Sequence, residues 1–493
     1  MPPRTRWRWS SARKAASPLR RSRISWRLAR GRCGSGRPSC VRRPQGSSRL
    51  RSLYQLEGVW AVSDRPVRVR FTTLGCKVNR VEAETIAARV EACGAELTEG
   101  DAPDVVVVTA CAVTTEASHK ARKAVRHALG LPSRPTVVVT GCLTEEDAAR
   151  VAALDDRVVI ERDKDAVADR IRDAAGLPVA PAGPVVRAGE GFRTRALVKV
   201  QDGCDNRCAY CIVPDTRGTP RSVEAMRVLA EVRALVESGA KEVVLTGINI
   251  GRYSDDGLDL AGLVRRVAET GVRRIRLSSI EPPDLTDRFV ETVAAIPAFV
   301  EHLQVPLQSG CDKTLAAMGR RYSVAEYERV LERVRDAIPG VAVTTDVICG
   351  FPGETDADAR ESEERVAQLG FAKLHVFRFS ARPGTPAAAR PDALPPTTIA
   401  ERAERMRAIG EVARRRFLES HIGTTHETLV ESAHEGVAVG TTRDGARVRW
   451  RCATSRPGDV QLVAIEGVDG DVLTGRIPDE RSGRRSATIE PWQ

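Results

Sequence analysis

The stretch VVVVTACAVTTEASHKARKAVRHALG, residues 105–130, decides how the first part of the chain folds. Four consecutive valines give a run that is apolar on both faces, as a strand buried between two layers of helices must be. The run stops at Cys111, and the residues up to Leu129 read as a helix ended by Gly130. The same unit recurs on either side. VRVRFTT (67–73) ends at Gly75-Cys76 and leads into NRVEAETIAARVEAC; TVVVT (136–140) ends at Gly141-Cys142 and leads into TEEDAARVAAL, with Thr144 as N-cap; RVVI (157–160) precedes KDAVADRIRDAAG. This alternation predicts an α/β domain with a parallel sheet over residues 67–180. Cys76, Cys111 and Cys142 each stand where a strand stops, 35 and 31 residues apart. In an open parallel sheet those points share the edge where ligands bind, so three thiols distant in sequence can meet there.

After a linker, LPVAPAGP (177–184), the alternation resumes with six strand candidates: ALVKVQ (196–201), EVVLTGIN (242–249), RIRLSS (274–279), HLQVPLQ (302–308), VAVTTDVICG (341–350) and KLHVFRFS (373–380). Helical stretches separate them, which predicts a partial TIM-like barrel of six βα units over residues 190–422. Directly after its first strand comes GCDNRCAYC (203–211), on the rim where barrel chemistry sits. Three soft thiolates, Cys204, Cys208 and Cys211, suit an iron–sulfur cluster with one iron left without a protein ligand; a zinc site with its fourth ligand elsewhere is the alternative. An open iron can bind a small molecule through an amine and a carboxylate, as S-adenosylmethionine offers. Gly247 and Asn249 in LTGINIG (245–251) are the candidate cofactor contacts, and GFPGET (350–355), followed by Asp356, is a second cofactor-facing loop. Cys93, Cys311, Cys349 and Cys452 lack partner spacing and read as structural, and His302 and His375 as packed strand residues. A long helical stretch (399–420) leads to short alternating strands, ETLVES, GVAVGTT, RVRWRCA, DVQLVAIEGV and DVLTGRI, which predict a small antiparallel β-barrel over residues 423–480.

Composition bounds the rest. The net charge of +12 is local: residues 1–56 carry 16 basic side chains and no acid, and subtracting these from the chain's 77 leaves 61 against 65 acidic. The body is thus slightly acidic, and bulk charge says nothing about nucleic acid. The Arg- and Ser-rich residues 1–66 read as a disordered basic extension, compatible with a transit peptide or with a start codon assigned too early. No run reaches the length of a membrane span. Twelve cysteines without a secretory signal point to a reducing compartment and a cytoplasmic protein.

With these motifs the chain resembles the radical S-adenosylmethionine methylthiotransferases from Val67 to about Ile477. TLGCKVN (73–79), VQDGCDNRCAYCIVP (200–214), RGTPRS (217–222) and LQSGCD (307–312) are most similar to the branch acting on N6-threonylcarbamoyladenosine in tRNA. The branches acting on isopentenyladenosine or on a ribosomal protein show GCQMN or GCPKN where this chain has GCKVN. The chain departs from the family at Thr109-Ala110 before Cys111 and at Leu143 after Cys142. The resemblance implies two four-iron, four-sulfur clusters, an auxiliary one on Cys76, Cys111 and Cys142 and a radical-generating one on Cys204, Cys208 and Cys211. It further implies S-adenosylmethionine as cofactor, insertion of sulfur and a methyl group at C2 of the adenine, a tRNA partner, an electron donor such as a flavodoxin or ferredoxin, and an RNA-binding TRAM-like C-terminal barrel. Arg217, Arg221, Arg320 and Arg321 are the candidates for phosphate contacts, or else solvated surface arginines. A non-catalytic iron–sulfur protein that carries electrons or senses redox state is the reading from a different class.

Overall fold

The computed structural model describes residues 65–179 and 194–478. The basic extension, with Cys33 and Cys40, lies outside them.

The first unit is a five-stranded, wholly parallel sheet built from β1 (Arg68–Thr73), β2 (Glu96–Leu97), β3 (Val105–Ala110), β4 (Thr136–Gly141) and β5 (Val158–Ile160), in the order β2-β1-β3-β4-β5. Helices α1 (Lys77–Ala92), α2 (Thr115–Leu129), α3 (Glu145–Ala152) and α4 (Lys164–Ala175) cross over between the strands. Val105 to Val108 are buried on both faces because α1 and α4 cover one and α2 the other; Val105 and Val107 belong to one apolar cluster, Val106 and Val108 to the other. Thr114, Thr144 and Asp163 cap α2, α3 and α4 by accepting from backbone N–H groups of the first turn.

The second unit holds six parallel strands in barrel order. β6 (Arg195–Lys199) is followed by the ribbon strands β7 (Gln201–Asp202) and β8 (Arg221–Ser222), with α5 (Val213–Arg217) between them and α6 (Ala225–Glu237) after. β9 (Glu242–Thr246), a hairpin of β10 (Ser254–Asp255) and β11 (Leu258–Asp259), and α7 (Leu260–Ala268) follow. β12 (Arg274–Leu277), α8 (Asp287–Ala294), β13 (His302–Gln304), α9 (Asp312–Ala317), α10 (Val324–Ala337), β14 (Ala342–Cys349), α11 (Asp356–Gln368) and β15 (Lys373–Arg378) complete it. The strands pair as β6-β9-β12 and as β13-β14-β15, and a bridge from Ser279 to Gln304 joins the two sheets. β6 and β15 are therefore free edges, and the barrel is open between them. β13 is shorter than HLQVPLQ predicts, because Pro306 has no N–H to continue a ladder. Val198, Leu245, Leu277, Leu303 and Val343 face the helices in one core. The alternate residues face the lumen by strand periodicity; Leu197, Val244, Ala342 and Ile348 among them are apolar, and Arg195, Lys199, Glu242, Arg276, His302, Gln304 and Asp346 are polar.

Helix α12 (Pro396–Glu419) leads into a closed five-stranded barrel of β16 (Thr425–His434), β17 (Val437–Thr442), β18 (Arg447–Arg451), β19 (Val460–Asp469) and β20 (Val472–Arg476). It departs from the expected antiparallel arrangement at one seam: β18 and β20 pair in parallel, because β20 returns from the hairpin with β19 and closes against the far strand. The barrel docks under the six-stranded unit through Glu242, which receives Arg274 (2.9 Å) and Arg276 (2.7 Å), while both arginines also donate to carbonyls of Thr441, Thr442 or Arg443. Among the described residues no helix is long and apolar enough to cross a membrane.

His421, just past α12, pins helix to barrel. Its Nδ1 meets the Phe417 carbonyl (2.8 Å) and its Nε2 meets Asp444 (2.6 Å); His426 lies beside it, with Nε2 at 2.7 Å from Thr424 Oγ1. These three side chains hold potential ligand atoms within 4.8 Å of one another, but three of the four ring nitrogens already have protein partners. Burial disfavours the His421 cation, and the Asp444 carboxylate outweighs it, so His421 titrates above its usual value while Asp444 falls to about 2. The His421 contribution is present below about pH 6.5 and is lost as pH rises through its raised value; the Asp444 contribution is lost only as pH falls toward 2. Asp444→Asn is expected to cost about 2 kcal/mol near pH 5.5, with a deficit that shrinks as pH rises through the His421 titration. Thermal unfolding followed at Trp450, buried in this barrel, checks it.

Candidate metal and cofactor centre

The three N-terminal cysteines lie at one sheet edge because β1, β3 and β4 are in register there, Thr73 opposite Thr109 and Thr109 opposite Thr140. Gly75 has φ +95°, and a Cβ on it would come within 2.7 Å of Cys111 Cβ and 3.0 Å of its Sγ, so the first strand end packs directly on the second cysteine. Asn79 fastens the three ends together. Its Nδ2 donates to the carbonyls of Leu74 (2.8 Å) and Ala110 (2.7 Å), and its Oδ1 lies 3.8 Å from Cys142 Sγ. Cys76 occupies the N-cap of α1 and is exposed, whereas Cys111 and Cys142 are buried.

GCDNRCAYC is held on the rim of the open barrel by the β7–β8 ribbon. Gly203 has φ +75°, and a Cβ there would stand 2.1 Å from the Thr219 carbonyl oxygen, so only glycine lets the chain turn from β7 into Cys204. Cys204 N–H donates to Gly218 O (3.1 Å), Ala209 N–H to Met318 O (2.8 Å) and Cys211 N–H to Cys208 O (3.0 Å). Gln201 ties the loop to the second strand: its Nε2 donates to the Asp202 and Gly203 carbonyls, and its Oε1 accepts from the N–H groups of Ile248 and Asn249.

Two buried arginines reach these sulfurs. Arg217 Nε donates to Cys142 Sγ (2.9 Å), and the rest of its fork goes to Glu82, Asp202 and Asn79. Burial opposes its charge, yet Cys142, Glu82 and Asp202 together raise its pKa and keep it a cation. Arg320 donates to Cys208 Sγ (3.1 Å) and pairs with Glu281. Both side chains are almost wholly buried, at 0% and 3% exposure, so the expectation of phosphate contacts or solvation at Arg217 and Arg320 is corrected: carboxylates draw them inward. Arg221 and Arg321 are exposed.

Both sets suit iron–sulfur clusters. Burial first, together with the nearby Cys142 and Cys76, pushes Cys111 up to about 11; burial first, together with Cys208 and Cys204, pushes Cys211 to about 12. Three such thiolates stay ionised together only around a cationic centre. All ten described cysteines are free thiols. Beside Cys204, Asn249 Nδ2 lies 3.7 Å from the sulfur while its buried Oδ1 has no partner, and the hydroxyls of Thr246 and Ser278 at the same ends of β9 and β12 are also unpaired. Such a row of unsatisfied groups suits a polar cofactor. Packing also requires glycine at Gly247, since a Cβ there would meet the Gln201 carbonyl at 2.9 Å.

Phe351 of the GFPGET loop packs in one cluster with Met318 and with Ala209 and Tyr210 of the cysteine loop, whereas the carboxylates beside it serve helix docking: Glu354 pairs with Arg402 of α12 (2.7 Å), Asp356 pairs with the same arginine (2.6 Å), and Gly350 lies against Ile399. Cys93, Cys311 and Cys349 are core residues and Cys452 is half-buried. His302 is enclosed in the lumen, where burial holds it neutral, and His375 lies 3.1 Å from Asp346. Lys77, next to Cys76, is exposed on the surface and forms no salt bridge among the described residues; the protein mass around its amine, with Arg276 and Arg195 close by, lowers it to about 8.

The Radical SAM superfamily matches residues 198–366, and the uncharacterised protein family UPF0004 matches residues 68–161. A threonylcarbamoyladenosine tRNA methylthiotransferase of Thermotoga maritima is 33% identical over 83% of this chain and 99% of its own length. The chain belongs to the radical S-adenosylmethionine methylthiotransferase family. A tRNA-2-methylthio-N(6)-dimethylallyladenosine synthase of Acidothermus cellulolyticus is 34% identical over 91% of this chain and 95% of its own. Among solved structures, the radical S-adenosylmethionine methyltransferase TsrM of Kitasatospora setae, with cobalamin and a 4Fe-4S cluster bound, aligns at TM-score 0.50 and 15% identity over 66% of this chain and 77% of that one, a likeness of fold. This methylthiotransferase is an enzyme that transfers sulfur and a methyl group, and its family implies a four-iron, four-sulfur cluster and S-adenosylmethionine.

Proposed function

We propose that the enzyme inserts sulfur and a methyl group at C2 of N6-threonylcarbamoyladenosine in tRNA. In this reading residues 67–180 hold an auxiliary cluster on Cys76, Cys111 and Cys142, residues 190–422 hold the radical-generating cluster on Cys204, Cys208 and Cys211 with S-adenosylmethionine against Asn249, and the barrel of residues 423–480 grips RNA. An external one-electron donor reduces the clusters. When bound, cluster and cofactor supply the one-electron chemistry that an inert adenine C–H bond requires. The chain's own part is placement: Asn79 gathers the strand ends, the β7–β8 ribbon fixes the loop, and the open side between β6 and β15 admits the nucleoside.

The observation that carries the choice of substrate is GCKVN (75–79), the form of the first motif most similar to the threonylcarbamoyladenosine branch, beside similarity to enzymes so named at 33–34% identity over 80–83% of this chain. Lys77 supports it, because a cation beside Cys76 that forms no salt bridge among the described residues suits the carboxylate of the threonyl group, which a dimethylallyl group lacks. The synthases named for the dimethylallyl nucleoside, equally similar, favour the second reading. Mass spectrometry of tRNA nucleosides from a deletion strain decides between them: the methylthio form of threonylcarbamoyladenosine is expected to vanish, and loss of the methylthio dimethylallyl form instead would establish the other substrate. In purified enzyme, Lys77→Gln is expected to raise KM for the threonylcarbamoyl substrate about tenfold or more, read as product formed against tRNA concentration.

A further inference from the structure

Arg217 and Arg320 occupy matching positions at the two cysteine sets. The five N–H donors of Arg217 make five contacts: Nε to Cys142 Sγ (2.9 Å), Nη1 to Glu82 (2.9 Å) and Asp202 (2.9 Å), Nη2 to Asn79 (2.7 Å) and Glu82 (3.1 Å). A guanidinium has five such donors and no acceptor, so this fork is saturated and has none left for a substrate phosphate. Arg320 divides its donors among Cys208 Sγ (3.1 Å), the Tyr322 hydroxyl (3.1 Å) and Glu281. At each set, then, one sulfur of three receives a charged N–H from a buried arginine whose own charge is balanced by carboxylates. The two differ in reach. Arg320 enters from the segment after α9, within the barrel unit, whereas Arg217 ends α5, six residues past Cys211, and crosses to Cys142 of the N-terminal sheet 75 residues away in sequence.

We infer that Arg217 and Arg320 are positioning residues that separately set the reduction potentials of the two clusters, each by donating a charged hydrogen bond to one ligating sulfur. The inference rests on the two-cluster reading above. A donor to a thiolate ligand draws electron density from the iron and stabilises the reduced, more negative cluster, so removing it makes reduction harder. Because the acceptors are Cys142 in one case and Cys208 in the other, each arginine acts most strongly on the potential of its own cluster.

The test is potentiometric titration followed by electron paramagnetic resonance on full-length, anaerobically reconstituted enzyme, with S-adenosylmethionine added to perturb the signal of the cluster with the open cofactor site and so tell the two apart. Arg217→Gln is expected to lower the reduced-to-oxidised ratio of the auxiliary cluster about tenfold at fixed potential, ~59 mV for one electron, and Arg320→Gln to do the same to the other cluster. Arg217→Lys, which keeps the charge and loses the fork, should show a smaller shift. The inference is overturned if either Gln variant leaves its own cluster's potential unchanged or moves both clusters equally. It is also overturned if Arg217→Gln and Arg217→Lys both lose the auxiliary iron outright, since the arginine would then be scaffolding. Wild-type enzyme holding one cluster would refute the two-cluster reading itself, before any variant is measured.

Discussion

Cys208→Ala is expected to abolish reductive cleavage of S-adenosylmethionine, with 5′-deoxyadenosine and methionine falling below detection by chromatography. Of the three thiols in the rim loop, Cys208 is the most buried and the one that receives Arg320. Its removal takes away one of the proposed ligands and also leaves the Arg320 guanidinium facing a methyl group beside Glu281. The loop itself supplies three thiols, Cys204, Cys208 and Cys211, so the loss of one leaves two. Cys93→Ala serves as the control. That residue ends α1 inside the sheet unit's core, so its loss should leave cleavage intact, and loss of cleavage in both variants would point to general instability.

Much of the architecture was legible because it is written locally. Val105 to Val108 could only be an interior strand, and a cysteine at each of three parallel strand ends could only fall on one edge. The six barrel strands likewise announced themselves by alternation with helices. What the sequence concealed depends on contacts between distant residues. Arg217 stands in RGTPRS among other arginines, and no local pattern says that Glu82, 135 residues earlier, will bury it while Arg221 stays exposed. Asn79 is one polar residue in a helix that otherwise reads as a crossover, and its work of joining Leu74, Ala110 and Cys142 exists only once the strands are aligned. GFPGET carries the glycines and acids of a ligand loop, yet Arg402, some fifty residues on, claims its carboxylates. The parallel seam between β18 and β20 was hidden for a related reason, since strand direction within a barrel follows from closure and no single strand encodes it.

The same distinction between local and long-range contacts separates the auxiliary cysteines from one another. Cys111→Ala is expected to lose methylthio product while sparing a part of S-adenosylmethionine cleavage, measured side by side as modified nucleoside and 5′-deoxyadenosine in the same reaction. Cys111 is buried against Gly75, and among the described residues no arginine donates a hydrogen bond to its sulfur, although Arg217 lies near enough to act on its charge. Cys142 differs, because Arg217 couples it to Asp202, two residues before Cys204, and to the helix that ends the cysteine loop. Removing the Cys142 sulfur frees one donor of a saturated fork and lets Arg217 relax toward Glu82 and Asp202, which disturbs the approach to Cys204. Cys142→Ala should therefore depress cleavage further than Cys111→Ala does, although both lose product. Equal cleavage in the two variants would mean that the Arg217 contact transmits nothing between the sites, and unchanged product in Cys111→Ala would remove that cysteine from the sulfur-inserting centre.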